Sequence, residues 1–227
     1  ILLSIIGPIL RDIIVLHKIL AIRNLSTSAY ALRLERNGLL FKAGQCFNLG
    51  LKNSGVNREY SIYSGENDSY LEFLIKEIKG GAVSPFIRQS IVGEEINLYG
   101  PYGSFIIDPK TVNSAQFIFI CSGTGIAPFH SFIRSHPNLK YHLINGIRFL
   151  SERYDYDKLD LTKITTCVSR EKWNGFNGRI TSYFREITIN TENIFYLCGN
   201  QKMIEEVYNL LQKNKVSGNK ILTEAFF

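Results

Sequence analysis

The stretch FIFICSGTGIAPF at residues 117–129 joins an apolar run to a glycine-rich turn and then to a proline. The apolar part has the length of a buried strand, and Pro128 falls where the first turn of a following helix tolerates a missing N–H. The fingerprint G-x-G-x-x-G is absent, but Gly123, Thr124 and Gly125 provide a turn that a backbone-bound anion can approach. The stretch therefore predicts a strand, a tight turn and a helix.

A plain strand-to-helix turn without any ligand is the alternative interpretation of these glycines. A second apolar strand ends at Cys198 and Gly199 and is also followed by a helical stretch. Ligands of open α/β sheets bind at the carboxyl ends of the strands, so two strand ends with small residues favour a binding site.

The sequence after residue 115 alternates between short apolar stretches and helical stretches. This spacing is typical of βα units on a parallel sheet. The predicted strands are 116–121, 140–147, 163–169 and 193–199, and the predicted helices include 126–135 and 201–214.

The sequence before residue 108 has a different pattern, with short stretches rich in β-branched and aromatic residues between turn residues. It predicts an all-β antiparallel Greek-key barrel followed by an α/β parallel-sheet domain. We expect a barrel domain at 13–110 and an α/β domain at 111–227, because residues 108–114 have turn composition. The predicted strands are 17–25, 28–36, 41–51, 58–64, 70–78 and 94–105, with one helix at 84–91.

The N-terminal extension at residues 1–12 is strongly apolar but is interrupted by Pro8, Arg11 and Asp12. It is shorter than the ~20 apolar residues that a membrane-spanning helix needs. A basic segment and a cleavage site typical of a signal peptide are absent. An amphipathic extension and a segment that docks a partner both remain open.

Composition restricts the class of protein. The chain has 227 residues, 45% of them hydrophobic, which indicates an ordered globular protein. Its net charge of +6 is spread among acidic residues, which favours an acidic protein or a phosphate-bearing ligand over nucleic acid. The four cysteines are far apart and form no metal-binding motif, so we expect reduced thiols in a cytoplasmic protein without a metal.

The barrel half contains two further candidate ligand segments. Arg58 and Tyr60 alternate with Ser61 along a predicted strand and offer a cation, an aromatic face and a hydroxyl. The segment from Gly81 to Ser84 offers backbone amides and a hydroxyl at the start of the predicted helix, where an anion can bind. A surface strand with an amphipathic tyrosine is the alternative for the first segment.

Five ordered motifs together resemble the ferredoxin–NADP reductase family over residues 13–227, most closely its compact bacterial members. The resemblance implies an FAD-binding barrel and an NADP(H)-binding α/β domain, with the two cofactors meeting between them. The motifs are Arg58-x-Tyr60-Ser61, Gly81-x-x-Ser84, Gly123-Thr124-Gly125-Ile126-Ala127-Pro128, Cys198-Gly199 and Glu224-Ala225-Phe226-Phe227.

The resemblance also implies roles for the residues of the barrel and the C-terminus. Arg58 would bind the FAD pyrophosphate, Tyr60 would lie against the isoalloxazine ring, and Ser61 would approach flavin N5. Phe226 would cover the flavin face where nicotinamide enters, with a hydrophobic C-terminal anchor as the alternative. The remaining implied FAD contacts are Ile62, Gly81, Ala82, Val83, Ser84 and Phe227, the last one against the adenine.

In the α/β domain the resemblance places Cys198 and Glu224 near the reacting nicotinamide, although Cys198 is equally compatible with an ordinary buried thiol. Ser61, Cys198, Glu224 and Phe226 are the implied catalytic residues. The 2′-phosphate of NADPH would bind cationic and hydroxyl groups after later strands, unless Arg170 instead forms a surface ion pair with Glu171. The implied NADP contacts are Gly123, Thr124, Gly125, Pro128, Arg148, Ser169, Arg170, Arg179, Cys198 and Gly199.

The implied activity is electron transfer between NADP(H) and an acidic ferredoxin or flavodoxin through FAD. One alternative is an NAD(P)H-dependent reductase component of an oxygenase, which often has a fused iron–sulfur domain that these cysteines do not build. The other is a non-catalytic flavin-binding or regulatory subunit.

Overall fold

The computed structural model describes residues 15–52 and 54–226. The predicted extension at 1–12 and the role predicted for Phe227 lie outside the described residues. Within them the chain forms two six-stranded sheets, one antiparallel and one parallel.

The first sheet is the predicted barrel, and its strands run in the order β4-β3-β6-β1-β2-β5. An antiparallel bridge between Ile62 and Phe73 joins the segment after β4 to β5, so that the sheet closes on itself. The helix α1 is Ser84–Gln89, and the strands are β1 Val15–Asn24, β2 Ala29–Glu35, β3 Cys46–Leu51, β4 Asn57–Ser61, β5 Tyr70–Lys76 and β6 Glu95–Tyr102.

Strand β3 begins at Cys46, five residues later than the expected start at Phe41. The reason is a turn at Gly44, whose φ of +87° is in the left-handed region that favours glycine. A Cβ at Gly44 would lie 1.9 Å from the carbonyl oxygen of Phe105, so the same glycine also permits a close approach of two backbones.

The second sheet is the predicted parallel sheet, with the order β10-β9-β8-β7-β11-β12. Its last strand differs from the sequence analysis, which expects the C-terminal residues to form a tail that covers the flavin. Their pairing with β11 instead satisfies backbone groups along an edge strand. The strands are β7 Phe117–Ser122, β8 Tyr141–Ile147, β9 Ile164–Val168, β10 Phe176–Asn177, β11 Ile194–Asn200 and β12 Ile221–Phe226, and the helices are α2 Ala127–Ser135, α3 Ile180–Glu186 and α4 Gln201–Lys213.

The two domains share a buried contact that fixes how the barrel lies on the parallel sheet. Tyr63 and Phe105 from the barrel side belong to the same buried cluster as Phe119, Phe129 and Phe132. The ring of Phe105 lies 5.1 Å from that of Tyr196 in an edge-on arrangement, which is a favourable aromatic contact. The strand ends of the parallel sheet therefore have a defined position relative to β4.

Candidate functional site

The hydroxyl of Ser61 donates a hydrogen bond of 2.6 Å to Oε1 of Glu224. Ser61 ends β4 of the barrel, whereas Glu224 lies in β12, so this bond connects the two domains. Burial raises the pKa of Glu224 to about 7 against the effect of the Ser61 hydrogen bond, and the negative charge of Glu59 adds to the rise. The Glu224 carboxyl can therefore take up and release a proton near neutral pH.

Cys198 is the β11 neighbour of Glu224 and is fully buried. Its Sγ lies 3.9 Å from Oε1 of Glu224. Burial, together with the Glu224 charge, holds the pKa of the Cys198 thiol well above its ordinary value. The side chain is thus a neutral thiol that packs behind the carboxyl.

The two glycine-containing strand ends lie side by side. A Cβ at Gly125 would lie 2.5 Å from the carbonyl oxygen of Cys198, so the turn after β7 can approach β11 only with glycine at this position. Gly199 has a φ of +131°, and its missing Cβ leaves room for the Ser122 hydroxyl, which accepts a 3.1 Å hydrogen bond from the N–H of Asn200.

The outer side of this turn is open. Gly123 has a φ of +56°, and a Cβ built on it would have no atom within 4 Å. Thr124 next to it is half-buried, and Pro128 lies in the first turn of α2, as the sequence predicts. No local pattern identified Ser122, although a hydroxyl residue directly before a glycine turn is a signal that could have done so.

Phe226 is the last described residue and pairs with Asn200 of β11. Its half-buried ring packs against the cluster shared by the two domains. It thus lies two residues beyond Glu224 on the same edge strand.

In the barrel, β4 places Arg58 and Tyr60 on one face and Ser61 on the other. Arg58 is exposed, and its guanidinium donates only a local 2.7 Å hydrogen bond to the carbonyl of Asn57. Tyr60 is half-buried, and burial raises its pKa to about 12, so that the phenol stays protonated.

The segment from Gly81 to Ser84 is a compact turn. Ser84 is buried, its hydroxyl accepts a 3.0 Å hydrogen bond from the N–H of Ile78, and its carbonyl accepts one of 2.7 Å from the hydroxyl of Tyr30. The N–H of Gly81 donates to the carbonyl of Ile78 at 2.8 Å, and Ala82 is exposed.

Two residues predicted as FAD contacts have their side chains in the barrel core. Ile62 is 0% exposed and Val83 is 1% exposed, and both belong to the buried barrel cluster. The N–H of Ile62 is also engaged, since it donates to the carbonyl of Gln45 at 2.9 Å. Their side chains stabilise the barrel and do not line a surface.

The residues predicted to bind the 2′-phosphate converge at the ends of β8, β9 and β10. Arg170 and Arg148 follow neighbouring strands, and the N–H of Arg170 donates to the carbonyl of Arg148 at 3.0 Å. Arg179 precedes α3 directly after the short strand β10. Ser169 is exposed, and its hydroxyl donates to the carbonyl of Ile147 at 3.2 Å. All three arginines are exposed.

The carboxylates beside these arginines are bound to backbone groups. Glu171 accepts from the N–H of Leu150, and Glu152 accepts from the N–H of Arg148 at 2.7 Å. The surface ion pair between Glu171 and Arg170 that the sequence left open does not form. Among residues 15–52 and 54–226, no carboxylate lies within ion-pair distance of Arg148, Arg170 or Arg179.

No helix in residues 15–52 and 54–226 has the length and hydrophobicity to cross a membrane. The same part of the chain contains no group of three histidine, cysteine or acidic side chains arranged to hold a metal ion.

Comparison with known proteins gives two adjoining family matches. Residues 13–107 match the oxidoreductase FAD-binding domain, and residues 119–209 match the oxidoreductase NAD-binding domain. Together they include β4 and the strand ends of β7 to β9 and β11, where the geometry above brings the predicted residues together.

Relatives fall into two groups. The toluate 1,2-dioxygenase electron transfer component of Pseudomonas putida is 28% identical over 90% of this chain, and the chain spans only 65% of that protein. Ferredoxin–NADP reductase B of Sorangium cellulosum is 27% identical over 85% of this chain and 89% of its own length.

Among solved structures, a ferredoxin NADP+ reductase from Neisseria gonorrhoeae with bound FAD and NADP superposes with a TM-score of 0.82. It is 21% identical, and the alignment covers 94% of this chain and 98% of that one. The fold is therefore shared over nearly the whole of both chains. With both domain matches in the same order, this chain belongs to the ferredoxin–NADP reductase family of FAD- and NAD(P)-binding oxidoreductases.

Proposed function

We propose that this chain is a reductase that binds FAD and transfers electrons between NADP(H) and an acidic one-electron carrier, a ferredoxin or a flavodoxin. The observation that supports it most directly is the 2.6 Å hydrogen bond from Ser61 to Glu224 where the two domains meet. The Glu224 carboxyl, with its pKa raised to about 7, and the Ser61 hydroxyl form a pair that can hold a proton at a reacting centre.

The residues present fit FAD at the barrel side of this pair. Arg58 has an exposed guanidinium with donors beyond its bond to Asn57 for a pyrophosphate, and Tyr60 offers a half-buried aromatic face on the same side of β4. The backbone around Ala82 is the second candidate contact to the pyrophosphate. When bound, FAD supplies the conversion between the two-electron chemistry of a nicotinamide and the one-electron chemistry of a carrier protein.

The residues at the strand ends fit a nicotinamide coenzyme. Gly125 lets the turn after β7 approach β11 closely, Gly199 leaves room for the Ser122 hydroxyl, and the backbone at Gly123 is open to a pyrophosphate. Ser61 and Glu224 then hold a proton beside the reacting centre. Cys198, which packs against the Glu224 carboxyl, and Phe226, on the same edge strand as Glu224, exclude water from this pair. Accurate positioning of this kind can contribute several kcal/mol to a rate enhancement.

Selection of NADP(H) over NAD(H) is proposed for Arg148, Arg170 and Arg179 with Ser169. A 2′-phosphate needs cationic donors, and a nearby free carboxylate would repel it. The three guanidinium groups lie at neighbouring strand ends, while Glu152 and Glu171 are engaged by backbone N–H groups.

The net charge of +6 supports an acidic protein as the electron carrier. Complementary charge raises the rate of encounter, and salt screens it over about 10 Å at 0.1 M. We therefore expect the apparent KM for the carrier to rise with salt.

A second candidate function is the reductase component of an oxygenase. It is favoured by the match to the Pseudomonas putida dioxygenase component, of which this chain spans 65%. The two functions differ in their selectivity between NADPH and NADH and in the electron acceptor, so one set of assays separates them.

The test uses the purified full chain reconstituted with FAD. Under anaerobic conditions NADPH is expected to bleach the flavin absorbance faster than NADH, and the reduced protein is expected to reduce added ferredoxin or flavodoxin. Equal bleaching by both coenzymes would favour the oxygenase component. A chain that retains no FAD, or is not bleached by either coenzyme, would contradict the proposal.

A further inference from the structure

Asp155 connects the loop after β8 to the barrel. Its carboxylate accepts hydrogen bonds of 3.1 and 2.7 Å from the guanidinium of Arg23 in β1 and one of 3.2 Å from the hydroxyl of Tyr63. Arg23 also pairs at 3.4 Å with Glu72, which is fully buried in β5 and pairs at 3.0 Å with Arg33. One carboxylate of the α/β domain thus completes a network of barrel charges.

The backbone of Asp155 has an uncommon conformation. Its φ is +49°, in the left-handed region that few residues other than glycine, asparagine and aspartate adopt. Burial opposes ionisation of Asp155, but the hydrogen bonds from Arg23 and Lys158 outweigh it and hold its pKa well below the usual range. The contacts of Asp155 therefore favour its charged form.

The same loop begins at Arg148, one of the proposed phosphate ligands. Glu152 lies between Arg148 and Asp155 in the chain, and its carboxylate accepts a hydrogen bond from the N–H of Arg148. The conformation of the loop therefore fixes the backbone position of Arg148. The guanidinium of Arg153 lies 4.4 Å from the ring of Trp173, in the segment that follows Arg170. The proposed phosphate ligands and the barrel contact are therefore parts of one connected loop structure.

Contacts that do not involve Asp155 also hold the two domains together. Ser131 of α2 donates a 2.6 Å hydrogen bond to the carbonyl of Ser64. Arg134 of α2 pairs with Asp68 at 2.7 Å, and the hydroxyl of Tyr196 donates to the carbonyl of Ile106 at 2.8 Å. Loss of the Asp155 carboxylate would release the loop locally and leave the packed interface in place.

We propose that Asp155, through Arg23 of the barrel, is a positioning residue for coenzyme binding, because it anchors the loop that presents Arg148 to the 2′-phosphate. The proposal rests on the proposed function of the arginines. Asp155 lies outside the site itself. Its loss should change the affinity for the coenzyme but not the reaction at Ser61 and Glu224.

The test compares Asp155→Asn with Asp160→Asn in the full, FAD-loaded chain. Asparagine keeps the shape of the side chain, and Arg23 keeps Glu72 as a partner, so the variant leaves no buried charge unpaired. Asp160 is the matched control, because it is exposed and its partners Thr162 and Lys163 belong to its own loop.

Titration calorimetry with adenosine 2′,5′-bisphosphate measures the phosphate site without turnover. We expect Asp155→Asn to weaken its binding by about threefold to thirtyfold, the range for residues that act through a network. Steady-state assays should show a matching rise in KM for NADPH, with kcat within about twofold of the wild type. This pattern is expected when a variant loses binding energy that the ground state and the transition state share equally. The double variant with Arg23→Gln and Asp155→Asn should bind the bisphosphate no more weakly than the weaker-binding of the two single variants, because the two side chains act as one unit.

Unchanged binding of the bisphosphate by Asp155→Asn would overturn the proposal, as would an equal loss in Asp160→Asn or a fall confined to kcat. Wild-type protein that binds the bisphosphate no more tightly than adenosine 5′-monophosphate would instead remove the proposed 2′-phosphate site itself, and the inference with it.

Discussion

Ser61 and Glu224, which are 163 positions apart in the chain, share a hydrogen bond of 2.6 Å across the contact between the barrel and the parallel sheet. The serine ends a barrel strand and the glutamate lies on the edge strand of the other domain. The pair is possible only when both domains are folded and docked, so its properties report on the assembled site.

The raised pKa of Glu224 predicts a pH dependence of stability. The folded protein holds this proton up to a pH of about 7, whereas the ordinary value is 4.5, so the folded state binds the proton more tightly between these values. The free energy of unfolding should therefore fall as the pH rises through this window. Glu224→Gln removes the fall and should be more stable than the wild type at pH 8 by about 1 to 2 kcal/mol, a range reduced for partial exposure, with little gain at pH 5.

Urea denaturation at the two pH values measures this difference. Glu186→Gln is the control, because Glu186 is exposed at the end of α3 and should give the same stability as the wild type at both. A Glu224→Gln variant whose stability follows that of the wild type from pH 5 to pH 8 would contradict a raised pKa.

Ser61→Ala removes the hydroxyl that partly offsets the burial of Glu224. We expect the pKa of Glu224 to rise further, and the pH dependence of NADPH-driven flavin reduction to move to higher pH. The rate should fall about tenfold to a hundredfold, which corresponds to a hydrogen bond to a charged group. Ser114→Ala, at an exposed serine between the domains, is the control for stopped-flow measurements. A full rate with an unmoved pH profile would show that the hydroxyl has no part in the reaction.

Arg170→Ala tests the choice of coenzyme. Loss of one charge-assisted hydrogen bond should lower kcat/KM for NADPH by about tenfold to a hundredfold, while NADH use hardly changes. Arg185→Ala removes another exposed arginine, in the last turn of α3, and should leave both values unchanged. Equal losses with both coenzymes in Arg170→Ala would count against a 2′-phosphate contact.

Gly125→Ala tests the close approach of the two strand ends. The new methyl group would lie 2.5 Å from the carbonyl oxygen of Cys198, so the turn and β11 must separate. We expect a loss of about 1 to 3 kcal/mol in the free energy of unfolding and a higher KM for NADPH. Gly218→Ala is the control, since its new methyl group would meet only ordinary contacts of 3.7 and 3.8 Å. Equal stabilities of the two variants would mean that the strand ends are not tightly packed.

Deletion of the last two residues separates the two interpretations of Phe226. If its ring competes with nicotinamide, the truncated protein should bind NADP+ more tightly, discriminate less against NADH and lose FAD more readily. If the ring is only an anchor, its contact with the shared cluster predicts a lower melting temperature with unchanged coenzyme preference. Equilibrium binding and thermal denaturation of the same sample distinguish these outcomes.

The barrel, the parallel sheet and the glycine turn at 123–125 could be predicted from the sequence because their signals are local. Alternating apolar and polar residues, apolar runs and turn glycines lie within a few residues of the strand, helix or turn that they predict. The predicted start of β3 was wrong because a local pattern does not show the long-range backbone contact between the turn at Gly44 and Phe105. The C-terminal strand was missed because its six residues become a strand only when β11 supplies hydrogen-bonding partners.

The sequence by itself determined which chemical groups this protein has and on which elements they lie, including Ser61 on a barrel strand and Arg170 at the end of a strand of the α/β domain. Only the tertiary structure decided their protonation and their partners. The pKa of Glu224 rises to about 7 because folding buries the carboxyl, and the hydrogen bond from Ser61 only partly offsets this rise. Asp155 acquires its role because folding brings it to Arg23, 132 positions away. Burial and charge pairing depend on distances between elements, and these are set by packing and not by the order of residues.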